Sequence, residues 1–228
     1  MKGLISIALV LFSPVLLAQD GFNQLDEDGQ RHGPWKKYYS QSQQVRYQGT
    51  FDHGKEVGEF RFYCQDCGDQ PSVIKQFDKN SDQADVSYFT PKGLLVSKGK
   101  MQGKDRIGEW LYFHKGSDKV MTREFYQEGK LHGNWETYYP NGQVTELITY
   151  VNGIKEGPNL YYSPEGTLLK KLKYVQDELE GEAIYYDAKG EVMIKGFYKN
   201  GKKHGLWTTY ANGELVSEER FPKPRKKQ

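Results

Sequence analysis

Long apolar runs are scarce in this 228-residue sequence, and so are cysteine, methionine and tryptophan, at two, four and four residues. Each scarcity excludes something. The two cysteines form one CQDC stretch, Cys64 to Cys67, half the number a four-ligand cysteine zinc site requires. With 32 basic against 30 acidic residues there is no global field to recruit nucleic acid or a membrane. Only 36% of residues are hydrophobic and the mean hydropathy is −0.82, so the aliphatic material for a thick core is missing. Aromatic residues are plentiful instead, at 14%, with 17 tyrosines leading. That balance suits a thin structure whose rings pack while their hydroxyls stay wet.

The one long uncharged run is LISIALVLFSPVLL, Leu4 to Leu17, behind Met1, Lys2 and Gly3. It is shorter than the roughly 20 residues of a membrane span and reads as a secretory signal peptide, residues 1–18, cut after Ala18. No cysteine lies near the cut, so a lipid anchor is not indicated. The expected location is outside the cytoplasm, periplasmic or extracellular. Residues 19–28 then form a lead-in, and the basic residues 222–228 a solvated tail.

Between them a motif recurs. Gly33, Gly58, Ala84, Gly108, Gly133, Gly157, Gly181 and Gly205 mark eight units over residues 29–221, about 24 residues apart. Two residues past each marker stand Trp35, Phe60, Val86, Trp110, Trp135, Asn159, Ala183 and Trp207, a column that holds every tryptophan. Five residues past it an aromatic recurs without exception: Tyr38, Tyr63, Phe89, Phe113, Tyr138, Tyr162, Tyr186 and Tyr210. Asn141-Gly142 and Asn152-Gly153, on either side of VTELITY, are expected to supply the positive φ angles of tight hairpin turns. Two strands of about seven residues and two short turns fill this period and leave no room for an ordinary helix. The expected fold is all-β: an elongated, solenoid-like meander of about eight β-hairpins. The marker glycines have two candidate reasons, a sharp bend or a neighbouring ring lying over the backbone.

GKLHGNWETYYPNGQVTELITYVNG at 129–153 and KNGKKHGLWTTYANGELV at 199–216 resemble the MORN repeat, in the longer variant of exported bacterial and YwqK-like antitoxin-labelled proteins. The resemblance implies a hairpin solenoid used for binding, assembly or membrane association. Unit three, ADVSYFTPKGLLVSKGKM, lacks the marker glycine and tryptophan and is the expected irregular spot.

No catalytic constellation stands out, and no cofactor is expected. His32, His132 and His204 each precede a marker glycine, and one histidine per unit does not converge on a metal; His53 and His114 have no paired ligand in the sequence. Cys64 and Cys67 lie between strand-like segments, so a disulfide closing the turn is expected in an oxidising compartment. The aromatic columns, represented by Trp35, Trp110, Trp135, Tyr138, Tyr139, Tyr161, Tyr162, Tyr185, Tyr186 and Trp207, serve either as a ligand-stacking face or as packing between units. The functional expectation is a non-enzymatic scaffold binding a protein or an envelope component. An antitoxin-like role and peripheral lipid binding are the alternatives, and a homodimer remains open.

Overall fold

The computed structural model describes residues 21–223 except Asp66. After a two-residue strand β1 (Gln24–Leu25) come eight hairpins. They are β2 (Arg31–Tyr38) with β3 (Val45–Asp52), β4 (Lys55–Phe62) with β5 (Val73–Phe77), β6 (Gln83–Phe89) with β7 (Leu95–Gln102), and β8 (Asp105–Phe113) with β9 (Val120–Gln127). The fifth breaks its first strand into β10 (Lys130–Leu131) and β11 (Gly133–Tyr138) before β12 (Val144–Val151), and β13 (Ile154–Tyr162) pairs with β14 (Leu168–Val175). The seventh is likewise β15 (Glu178–Leu179) and β16 (Gly181–Tyr186) with β17 (Val192–Lys199), and the last is β18 (Lys202–Ala211) with β19 (Glu214–Phe221). Every pairing is antiparallel and between neighbours along the chain, so the molecule is one open meander. The described residues contain no helix, and therefore none long and apolar enough to cross a membrane.

Within each hairpin the marker faces the large residue of the return strand: Gly33 opposes Phe51, Gly58 Phe77, Ala84 Met101 and Gly108 Tyr126. Gly133 opposes Tyr150, Gly157 Tyr174, Gly181 Tyr198 and Gly205 Phe221. Every marker glycine has a positive φ, from +60° at Gly108 to +100° at Gly157. The reason lies in the next ladder. Gln48 pairs with Arg61 and Thr50 with Val57, so one residue, Gly49, faces three, Gly58, Glu59 and Phe60. The marker glycine therefore sits in a β-bulge between units, which sharpens the local twist. Ala84 cannot take that conformation cheaply, and β5 and β6 pair without a break from Val73↔Tyr88 to Phe77↔Ala84.

The other candidate reason belongs to different glycines. A Cβ placed on Gly33, Gly58, Gly108 or Gly205 would meet nothing within 4 Å. A Cβ on Gly49 would overlap the Phe60 ring, and on Gly99 or Gly196 the indole of Trp110 or Trp207. These glycines lie on return strands, eleven residues before the ring that covers them. Where the later residue is small, the earlier one is large: Lys75 stands opposite Val86, Ile148 opposite Asn159, and Leu172 packs with Ala183. The volume at these junctions is thus filled from one side or the other, whereas between the fourth and fifth units Glu124 and Trp135 are both large. Buried residues string along one face: Ala84, Val86 and Trp110 form one cluster, Leu172, Ala183 and Trp207 another.

The turns correct one expectation. Asn152 and Gly153 both have positive φ, as the two-residue turn between units requires, but in Asn141-Gly142 only the glycine does. There the turn is longer: Tyr139 N–H donates to Gln143 O and Gly142 N–H to Tyr139 O, with Pro140 and Asn141 at its centre.

Gly99→Ala should lower stability by about 1–3 kcal/mol through overpacking. In a Trp110→Val background the same change should cost little, because the indole is gone. Urea unfolding of the four proteins measures this, and equal costs in both backgrounds would refute the ring-on-glycine contact.

Candidate functional site

The meander gives the chain two unlike faces. Gly108, Trp110 and Tyr112 of β8 share one face with Tyr126, Glu124 and Thr122 of β9, while Glu109, Leu111, Phe125 and Arg123 share the other. The first is the packed face. Trp110 is 0% exposed and Trp207 4%, and both indole N–H groups donate to a carbonyl of the preceding strand, Lys100 at 3.0 Å and Phe197 at 3.1 Å. These two candidate residues are enclosed by their neighbours.

The remaining candidates are half-buried. Trp35 packs edge-on against Phe51, and its N–H donates to Gln24 O of β1 at 3.1 Å. Trp135 faces no glycine and donates instead to Glu124 Oε1 at 3.2 Å. Tyr138 donates its hydroxyl to Glu136 and lies under the Arg123 guanidinium. Tyr139 reaches the next unit, donating to Tyr162 O at 3.0 Å, as Tyr39 does to Tyr63 O at 2.7 Å. His114 makes the same bridge with its Nε2–H, 3.0 Å from Tyr138 O, which gives this histidine a structural use. Tyr161 lies beneath Lys170, and Tyr185 stands between Tyr198 and Trp207. Tyr186 sits opposite Val192 at the turn end of its hairpin.

Hydroxyls and carboxylates form a ladder along units four to seven. Arg106 Nη1 donates to Tyr112 and Tyr126, and Tyr126 donates in turn to Glu124 Oε2 at 2.9 Å. Farther along, Asn159 Nδ2 donates to Glu146 Oε1 at 2.9 Å. Burial, followed by the carboxylate beside it, pushes Tyr138 up to about 12, and burial raises Tyr112, Tyr126, Tyr150, Tyr161, Tyr174 and Tyr185 as well. An upward shift keeps these tyrosines neutral and leaves no phenolate near neutral pH, the opposite of what an activated tyrosine needs.

Cys64 and Cys67 are joined as a disulfide, and Gln44 Nε2 donates to Cys64 O at 2.9 Å, tying the widened turn to the first hairpin. The hollows are open to solvent. One of about 450 Å³ lies beside β6, β7 and β8, with Asp85, Lys98, Lys100 and Glu109 around it. One cluster was not foreseen. Asp26, His32 and His53 offer ligand atoms all within 4.8 Å of one another, because the lead-in folds back and the β3–β4 turn carries His53 to it. Whole-repeat spacing separates His32 from His132 and His204 as expected, but says nothing about a histidine in the turn beside it.

The MORN repeat variant matches at residues 131–152 and 179–200, the fifth and seventh hairpins. The first lies within the stretch 129–153 singled out by sequence. The second falls one unit before 199–216, in a hairpin that carries Ala183 in the tryptophan column. MORN repeats are in general modules for protein or membrane binding. No curated protein matches the chain.

The tyrosine ladder predicts alkaline lability. An ordinary tyrosine ionises near 10.0, and the folded chain holds these seven protons more tightly. Above that pH the unfolded chain has lost protons that the native chain keeps, so stability is fully present below about pH 10 and falls as pH rises toward the folded values. Thermal melts at pH 8, 10 and 11 should show the melting temperature dropping mainly over the last step, less so in Tyr138→Phe. A flat profile to pH 11 would contradict the burial of these hydroxyls.

Proposed function

We propose that the chain is a non-enzymatic repeat scaffold that binds a protein or cell-envelope component outside the cytoplasm. The observation that carries this reading is the division of labour between the two faces. One face spends its rings on packing between units. The other leaves large apolar side chains in solvent: Met121 and Phe125 of β9, Met193 and Phe197 of β17, and Leu206 of β18. Phe197 is 52% exposed and Phe125 38%. Acidic and basic residues such as Glu109, Arg123 and Lys195 stand among them, so the surface is mixed rather than greasy, as suits a partner that must also be released to water. A repeat surface of this kind offers area without a single reactive centre. Export is supported by the run Leu4 to Leu17, which lies outside the described residues.

Two measurements test the reading. Mass spectrometry of the protein recovered outside the cytoplasm should give Gln19 as the first residue; protein found only inside the cell with Met1 retained would remove the export claim. The Phe125→Lys, Phe197→Lys double variant should keep the parent's melting temperature and lose whatever partner the parent enriches from native envelope extract. Equal enrichment by both would move the binding surface off this face, and co-sedimentation of the parent with protein-free liposomes would point to lipid instead.

A further inference from the structure

We infer that Asp26, His32 and His53 form a binding site for a divalent transition-metal cation that fastens the N-terminal strand to the first hairpin. The three residues come from three elements. Asp26 opens the turn between β1 and β2, His32 lies on β2, and His53 stands in the two-residue turn between β3 and β4. The side chain of Asp26 is 9% exposed and already oriented: Oδ1 accepts the amides of Asp28 at 3.0 Å and Gln30 at 2.8 Å, which leaves Oδ2 facing His53 Nδ1 at 2.7 Å. The two imidazole centroids are 4.7 Å apart. Asp52 adds a second carboxylate, with Oδ1 3.7 Å from His32 Nδ1 and 3.8 Å from His53 Nε2.

The comparison within the chain is informative. Units five and one share a weak contact in which the histidine before the marker glycine accepts from the following turn, His132 from Asn152 N–H and His32 from His53 N–H, each at 3.5 Å. That turn position has a positive φ in five units and is filled by Glu128, Asn152, Gln176 and Asn200 elsewhere and by His53, at φ 44°, in the first. In the sixth and seventh units a glutamate accepts the turn amide, Glu156 from Gln176 and Glu180 from Asn200; among the described residues the first unit is the one that brings two histidines to a carboxylate. Hairpin geometry explains a histidine at 32 or 132; it does not call for one at 53.

Two imidazole nitrogens and a carboxylate oxygen suit zinc and its neighbours in the transition series, while calcium and magnesium favour all-oxygen shells. Tetrahedral donors 2.0 Å from zinc stand about 3.3 Å apart, a spacing the exposed rings of His32 and His53 reach by small rotations. A cation on His53 Nδ1 would replace that nitrogen's hydrogen bond to Asp26 Oδ2, the neutral ring carrying its one N–H on Nε2.

The test is Zn²⁺ added to the purified chain without a histidine tag, followed by titration calorimetry and thermal melting. The parent should bind one equivalent and melt higher in its presence, and Mg²⁺ should do neither. His53→Asn preserves the turn, as Asn152 and Asn200 show, and Asp26→Asn preserves the Oδ1 acceptor. Each should weaken Zn²⁺ at least ~10-fold without changing the metal-free melting temperature, and His132→Asn should change nothing. No saturable Zn²⁺ binding, parent-like affinity in both variants, or an equal loss in His132→Asn would each overturn the site.

Discussion

A sheet one layer thick has no facing layer to cover its apolar side, and the rest of this structure follows from that constraint. Burial has to come from the neighbouring unit. The solution is a large ring laid flat on the backbone of the preceding return strand, which works only if that strand carries no side chain at the point of contact. Gly49, Gly99 and Gly196 meet the condition under Phe60, Trp110 and Trp207. At other junctions the roles reverse, with Ile148 or Leu172 supplying the volume and Asn159 or Ala183 receiving it. Stability is therefore distributed along the chain, a sum of junctions rather than a single core.

The same thinness explains the chemistry of the packed face. Rings on a single layer cannot be buried completely, and a tyrosine offers area at one end and a hydrogen bond at the other. Tyr112, Tyr126, Tyr161 and Tyr185 use both ends, and burial of the ring end is the main reason their protons are held tightly. The sheet must also finish at its two edges. At the start, β1 gives Trp35 the carbonyl that a preceding unit gives Trp110 and Trp207, so two residues of strand stand in for a missing hairpin. At the end, β19 is exposed and carries Glu214, Glu218, Glu219 and Arg220, charges that discourage another strand from adding to it.

The hairpins were legible because their columns recur: a glycine, an aromatic and a turn at fixed offsets define strand lengths without any knowledge of contacts. What a column does was harder to read. A glycine that needs a positive φ and one that needs an empty face look alike in sequence, and only the second kind is tied to a ring eleven residues on, as Gly99 is to Trp110. The aromatic columns allowed both a stacking surface and packing between units, with packing the favoured reading, and Trp110 and Trp207 are enclosed while Trp135, beside Glu124 instead of a glycine, stays half-buried. The cluster of Asp26, His32 and His53 was invisible for a different reason. Two of its members lie in a lead-in and a turn, which the repeat pattern does not describe.

The third unit shows what the pattern costs when one element is replaced. Without a glycine at 84, the bulge that every other junction carries cannot form, so β5 and β6 run in unbroken register. The ring is lost together with the glycine: Val86 stands in the ring column and Lys75 opposite it, a pair that fills the junction without stacking. Two features that are independent in chemistry, a backbone conformation and a side-chain volume, have changed together. The pairing is reasonable, because the bulge places three residues against one and thereby brings the ring over the facing backbone, as Gly58, Glu59 and Phe60 do against Gly49. A straight ladder sets Val86 directly opposite Lys75 instead, where two moderate side chains pack as ordinary cross-strand neighbours. The local twist must then differ between the second and third hairpins from that at the other junctions, and the open hollow beside β6 to β8 lies where this straighter junction gives way to the next bulge.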